Sequence, residues 1–204
     1  MKKKIILSSI KILLFFILFS FKATINVLPI GGELPGGDIK MPDVNGNKVS
    51  MKEAKKKNGL LVMFTCNTCP FVIKNQQRTN AICKYALHNN IGVILINSNE
   101  GERDNDDSFS AMKAYAKKQG YQWNYVVDAD NKIADAFGAN RTPECYLFNS
   151  ELKLSYHGAI DDSPGDERNI SRQHLKEAIN QQINGKDIAV KESRSVGCGI
   201  KRKG

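Results

Sequence analysis

The 204-residue chain carries 41% hydrophobic and 25% charged side chains, close to the globular average, which excludes a wholly disordered, collagen-like or multi-span membrane protein. Its formal charge of +9 is concentrated at the ends: residues 1–22 hold five lysines and no acid, residues 191–204 hold five basic residues against Glu192, and residues 23–190 balance 20 basic with 20 acidic side chains. A neutral body does not supply the clustered Lys and Arg face that nucleic acid requires, so no nucleic-acid partner is expected.

At the N-terminus, Lys2, Lys3 and Lys4 precede an apolar stretch interrupted by Lys11 and then the ten-residue run Ile12–Phe21. That run is too short for an ordinary bilayer span and has the pattern of a signal peptide. Residues 1–23 are therefore expected to be a leader, or an N-terminal anchor if uncut; only the uncut form gives the chain a membrane attachment. Export to a periplasmic or extracellular space follows, where disulfides persist.

After a turn-rich stretch at residues 30–38, Asn45-Gly46 marks a hairpin between two short extended pieces. Gly59–Phe64 is a continuous apolar run, as in a strand buried on both faces. Apolar residues then recur at helical spacing from Cys69 to about Asn89. Ile91–Ile96 is a second buried strand, followed by an acidic loop from Asn99 to Asp107 that is expected to be solvated and lacks the ligand spacing of a calcium loop. A helix is predicted over Ser108–Gln119, a strand at Tyr125–Val127, a short helix at Ile133–Phe137 and strands at Cys145–Phe148 and Leu152–Tyr156. The last helix runs from about Ser171 to Ile183. This alternation predicts one α/β domain with helices on both sheet faces over residues 24–190. Residues 191–204 read as a basic, flexible tail.

Five cysteines are present, an odd count that leaves at least one thiol free or paired with another molecule. Cys66 and Cys69 form a Cys-x-x-Cys between a buried strand and a helix start. A thiolate at a helix N-terminus is stabilised by exposed N–H groups and the macrodipole, which lowers a thiol pKa from its usual ~8.5. The two intervening residues let the second sulfur attack a mixed disulfide formed by the first. Pro70 is tolerated there because its missing N–H has no acceptor in the first turn. Cys66, nearer the loop, is expected to attack, and Cys69, within the helix turn, to resolve from a more buried place. Cys83 and Cys145 read as core residues. Cys198, in a Gly-flanked basic stretch, is either a chance tail residue or an additional resolving thiol. His88, His157 and His174 are isolated, so no metal and no dissociable cofactor are expected.

A Cys-x-x-Cys alone is ambiguous, and Arg141-Thr142-Pro143-Glu144 ahead of the strand from Cys145 decides the reading. With it, the sequence over residues 30–184 resembles the thioredoxin fold family. In that family a cis-proline at a strand start lies against the reactive disulfide. The resemblance implies a central mixed sheet, Pro143 beside the cysteines, and Thr142 with Thr65 as partner contacts. The early Gly-Gly-Glu-Leu-Pro and Asp-Val-Asn-Gly-Asn-Lys-Val segments are similar to the redoxin and peroxiredoxin-like (AhpC/TSA-type) branch. Dithiol/disulfide exchange with cysteine-containing proteins or a thiol reductant is the activity implied. The alternatives are a thiol peroxidase, in which Cys69 meets hydroperoxide with help from Arg141 and Cys66 or Cys198 resolves, and a non-catalytic binding module or metal carrier.

Overall fold

The computed structural model describes residues 27–203, so the leader expected over residues 1–23 lies outside it. In chain order the elements are β1 (Met41–Pro42), β2 (Lys48–Val49), α1 (Met51–Ala54), β3 (Leu60–Phe64), α2 (Pro70–His88), β4 (Gly92–Asn97) and α3 (Phe109–Gln119). There follow β5 (Asn124–Val127), α4 (Lys132–Phe137), β6 (Arg141–Thr142), β7 (Glu144–Phe148), β8 (Leu154–Gly158), α5 (His174–Ile183) and β9 (Cys198–Gly199).

Five strands form the main sheet in the order β5-β4-β3-β7-β8. β3 runs parallel to β4, β4 runs parallel to β5, and β7 is antiparallel to both β3 and β8. The sheet is mixed and covered on both faces, as the sequence predicts. Alternation along the strands builds two cores, because successive side chains point to opposite faces. Leu61, Met63, Val93, Leu95 and Leu147 pack with Ile82 and Ala86 of α2, Met112 of α3 and Leu175 and Ile179 of α5. Leu60, Val62, Phe64, Ile94, Tyr146 and Phe148 face Met51 of α1 and Ile133 and Phe137 of α4.

Short-range chemistry sets the element ends. Ser50 and Glu53 form a reciprocal capping box on α1. Ser108 caps α3 by accepting from the Ala111 N–H, and Gly120 closes it in the left-handed region at φ 66°. Buried Asp128 accepts from the N–H groups of Ile133 and Ala134 at the start of α4. Two elements start later than predicted. α5 begins at His174, because the backbone of Ser171 and Arg172 is bonded to Asp162 instead. β8 begins at Leu154, because Asn149 Oδ1 accepts from the N–H groups of Glu151 and Lys153 and holds that stretch as a turn.

Residues 191–203, predicted as a flexible tail, lie along the domain. The Ser193 N–H donates to His157 O, the Ile200 N–H to Asn140 O, and the Gly101 N–H to Lys201 O. β9 pairs antiparallel with β6, matching Arg141 to Gly199 and Thr142 to Cys198. The charge of this segment conceals its apolar anchor, Ile200, buried in the α4-side core, and just before the segment Ile188 is buried in the α2-side core. No helix among the described residues is long and apolar enough to cross a membrane.

Leu61, at 0% exposure in the middle of the central strand, tests the packing. Leu61→Ala is expected to cost about 2–5 kcal/mol in urea unfolding, and a loss below about 1 kcal/mol would contradict a close-packed β3.

Candidate active site

β3 delivers the chain to the edge where the cysteines lie. The N–H of Thr65 still donates to Ile96 O at 2.9 Å, adding one rung beyond the strand. The chain then leaves the sheet as Cys66-Asn67-Thr68-Cys69, with Cys69 as the N-cap of α2 and Pro70 opening the helix. The cap position carries no side-chain hydrogen bond to the helix backbone, and the Val72 N–H of the first turn is directed to the Cys69 sulfur. Thr65, predicted as a partner contact, is buried beneath this loop.

The β6–β7 corner closes the site from the other side, with a cis peptide bond between Thr142 and Pro143. Thr142 touches both sulfurs: its Oγ1 is 3.4 Å from Cys66 Sγ, and its carbonyl oxygen is 3.2 Å from Cys69 Sγ. Glu144 holds the corner in place. Its Oε2 accepts from the N–H groups of Asn140 and Arg141, and its Oε1 meets His157 Nε2 at 2.7 Å. Arg141 is exposed and donates through Nη1 to Gly197 O at 3.1 Å.

A third sulfur completes the cluster. Cys198 Sγ lies 2.6 Å from Cys69 Sγ, carried there by the β6–β9 pairing. All five cysteines are free thiols. Cys83 and Cys145 lie in the α2-side core, where burial pushes both well above the ordinary thiol range.

The three clustered thiols differ sharply. Hydrogen bonding from Cys66 holds Cys69 well below the ordinary thiol range, helped by Cys198 and by the N–H groups of Val72 and Cys198, against desolvation. The Thr142 carbonyl accepts from the thiol form and works the other way; two thiol donors and two amides outweigh one acceptor. Cys66 moves upward because it gives its hydrogen bond to Cys69 and is buried, with Asp107 adding repulsion. Cys198 is pushed up to about 11 by burial and by its hydrogen bond to Cys69. Loop position alone predicts Cys66 as the more accessible, attacking sulfur. The two are equally covered, at 2% and 4% exposure, and the environment favours the thiolate on Cys69.

Beneath the loop lies a polar network absent from the sequence reading. Asp107, at the end of the acidic loop expected to be solvated, is fully buried. Its Oδ1 accepts from the Asn67 N–H and Asn97 Nδ2, and its Oδ2 accepts from Asn99 Nδ2, each at 2.8 Å. Asn67 also accepts from Tyr125 OH, and Asn99 Oδ1 accepts from the Lys201 N–H. One carboxylate thus ties together the cysteine loop, the end of β4 and the C-terminal segment. A run of Asn and Asp after a buried strand is the only sequence signal for it, and the same run is common in exposed loops. Among the described residues, no group of three or more His, Cys, Asp or Glu side chains is arranged to hold a metal ion.

A mixed sheet with a cysteine pair at a helix N-terminus facing a cis-proline corner defines a thioredoxin-like thiol redox protein. Residues 30–157 match the AhpC/TSA family, and the chain belongs to that family. Its fold is similar to an uncharacterized conserved protein from Geobacillus kaustophilus, with 31% identity, TM-score 0.81, and coverage of 87% of this chain and 94% of that one. It also resembles the thioredoxin domain of a thiol-disulfide oxidoreductase from Bacteroides vulgatus, with 19% identity, TM-score 0.53, and coverage of 64% and 88%. A PrxQ mutant from Xylella fastidiosa is similar at 15% identity and TM-score 0.57, covering 78% and 98%. A search of curated proteins finds no match.

The electrostatics give a titration. Thiolate absorbance near 240 nm is expected to report one thiolate at neutral pH, lost as the solution is acidified through the depressed Cys69 value. Cys66→Ala removes the first donor, so the transition should move upward by about one pH unit or more. An unchanged midpoint would contradict the shared hydrogen bond.

Proposed function

We propose that the protein is an exported thiol–disulfide oxidoreductase working by dithiol/disulfide exchange at Cys66 and Cys69. The observation that carries the reading is the cysteine pair at the start of α2 against the cis Thr142–Pro143 corner, with Thr142 in contact with both sulfurs. Cys69 attacks a client disulfide, one client sulfur leaves as a thiolate, and a mixed disulfide forms. Cys66 then attacks Cys69 Sγ, the second client sulfur leaves, and a Cys66–Cys69 disulfide remains. These roles reverse the order that loop position suggests, because hydrogen bonding rather than exposure separates the two sulfurs.

Thr142 and Pro143 form the docking corner for the client. β6 is a strand edge beside the sulfurs, and in this state β9 occupies it, so a client strand adds there by displacing β9. The clients are cysteine-containing proteins, and a thiol reductant restores the dithiol. No cofactor is needed for this exchange. The leader at residues 1–23 supports an oxidising compartment as the place of action.

Hydroperoxide reduction is the weaker reading, because it needs an arginine at the reactive sulfur and Arg141 is bonded to Gly197 O. Oxidation of the reduced protein by hydrogen peroxide, followed by stopped flow, is expected to be no faster than for free cysteine. A rate orders of magnitude faster would replace exchange by peroxidase chemistry.

Insulin reduction tests the exchange itself. The wild type is expected to outpace dithiothreitol alone. Cys69→Ser should fall by on the order of 100-fold or more, to background. Cys66→Ser should accumulate the mixed disulfide on Cys69 once Cys198, 2.6 Å from that sulfur, is also replaced by serine. Equal turnover by all three proteins would contradict the assignment.

A further inference from the structure

The exchange reading uses two sulfurs, and the structure places a third in contact with one of them. Cys198 Sγ is 2.6 Å from Cys69 Sγ, inside nonbonded contact for two sulfurs and reachable as a disulfide with little movement. Cys69 is therefore the centre of the cluster, with Cys66 on one side and Cys198 on the other. Cys198 is half-buried while the other two are covered.

The backbone around Cys198 is built for this approach. Cys198 pairs with Thr142, the residue whose carbonyl touches the Cys69 sulfur. Gly197 makes the approach possible: a Cβ there would come within 2.1 Å of Thr142 O and 2.7 Å of Thr142 C, so any side chain is excluded. On one side of β9, Ser193 is fixed by the Ser193 N–H to His157 O bond and by its Oγ against Tyr156 OH at 2.7 Å. On the other, Ile200 is buried in the core and the Lys201 N–H donates to Asn99 Oδ1 at 2.9 Å. Asn99 belongs to the Asp107 network that also holds Asn67, so the strap and the cysteine loop share one frame.

We infer that β9 is a tethered substrate strand and that Cys198 is the third redox thiol, taking the disulfide from Cys66–Cys69 and presenting it to an external thiol reductant. This rests on the exchange reading and deepens it. The Cys198 thiol loses its proton to solvent, and its thiolate attacks Cys69 Sγ of the Cys66–Cys69 disulfide. The Cys69–Cys198 bond forms, the Cys66–Cys69 bond breaks, and its electron pair leaves on Cys66, which takes up a proton. No net oxidation occurs. Cys66 is then a buried thiol hydrogen-bonded to Thr142 Oγ1. The external thiolate attacks Cys198 Sγ, freeing Cys69 as a thiolate at the helix N-terminus, a good leaving group. A second external thiol then releases Cys198 as the reductant's own disulfide. The reductant is oxidised, and the protein returns to three thiols.

Disulfide mapping by mass spectrometry after diamide oxidation of the full chain tests the relay. Cys66→Ser protein is expected to form an intramolecular Cys69–Cys198 disulfide as a monomer. Adding Gly197→Ala should lower its yield about tenfold or more, because the strap no longer seats and the local effective concentration is lost. In the wild type, Cys198→Ser should leave the Cys66–Cys69 disulfide intact but slow its reduction by glutathione about tenfold. Cys66→Ser protein that gives only intermolecular disulfides, or a yield that Gly197→Ala leaves unchanged, overturns the relay. Mapping does not depend on client turnover, so the two readings fail separately: insulin reduction without a Cys69–Cys198 disulfide removes the relay alone, and the disulfide without insulin reduction removes the exchange alone.

Discussion

The Cys69 sulfur at the start of α2 organises the site. A sulfur anion removed from water is unfavourable unless donors surround it, and Cys69 has two thiols and two backbone amides directed at it. The donors are not interchangeable. The amides are fixed by the helix and by β9, whereas the thiols can each form a covalent bond to the sulfur they stabilise. The arrangement that lowers Cys69 in the dithiol state is therefore the arrangement that places two partners for disulfide formation around it.

Holding three sulfurs together requires chain segments to meet at one end of the sheet, and regular structure there is limited to a helix cap and a pair of two-residue strands. Their backbone polar groups must be satisfied by side chains, and buried carboxylates do that work. Asp107 accepts from the cysteine loop and through Asn99 reaches the C-terminal segment. Glu144 does the same for the two residues before the proline corner. Such buried acids are tolerated because their oxygens are hydrogen-bonded. Asp107 also carries its charge toward Cys66 and disfavours a thiolate there, so the same group that fixes the loop helps decide which sulfur ionises.

The sheet was legible from the sequence because its signals are local and strong. Leu60–Phe64 and Ile91–Ile96 are unbroken apolar runs, and the caps at Ser108, Gly120 and Gly138 mark helix ends by side-chain and backbone chemistry alone. The cysteine pair and the Thr142-Pro143 corner were legible for a different reason: together they form a pattern shared with a known fold family. What was not legible depends on tertiary partners. Asp107 reads as one acid among several in a loop, and only the folded chain shows it at 0% exposure. The charge of residues 191–203 outweighs the single Ile200 in composition, yet burying an isoleucine contributes about 1.5–3 kcal/mol, more than exposed ion pairs such as that of Arg202 with Asp135. The contrast between Cys66 and Cys69 is not legible either, since their exposures are alike, at 2% and 4%, and the difference lies in hydrogen-bond direction, which sequence does not encode locally.

The strap raises a question of balance between holding and release. A two-residue strand contributes little on its own, and β9 would not stay on β6 without its flanks. Ser193 and Ile200 provide them, leaving a short span strung between two fixed points. Closing so short a span costs little additional entropy once both ends are fixed, which keeps Cys198 near Cys69 at high local concentration. Freeing β9 alone, however, breaks only the β6 pairing and the contacts of Gly197 and Cys198, leaving Ile200 and the Lys201 bond in place. Anchors outside the strand and weak pairing within it let the same segment serve as a resident third thiol and give way to a client strand at the edge it covers.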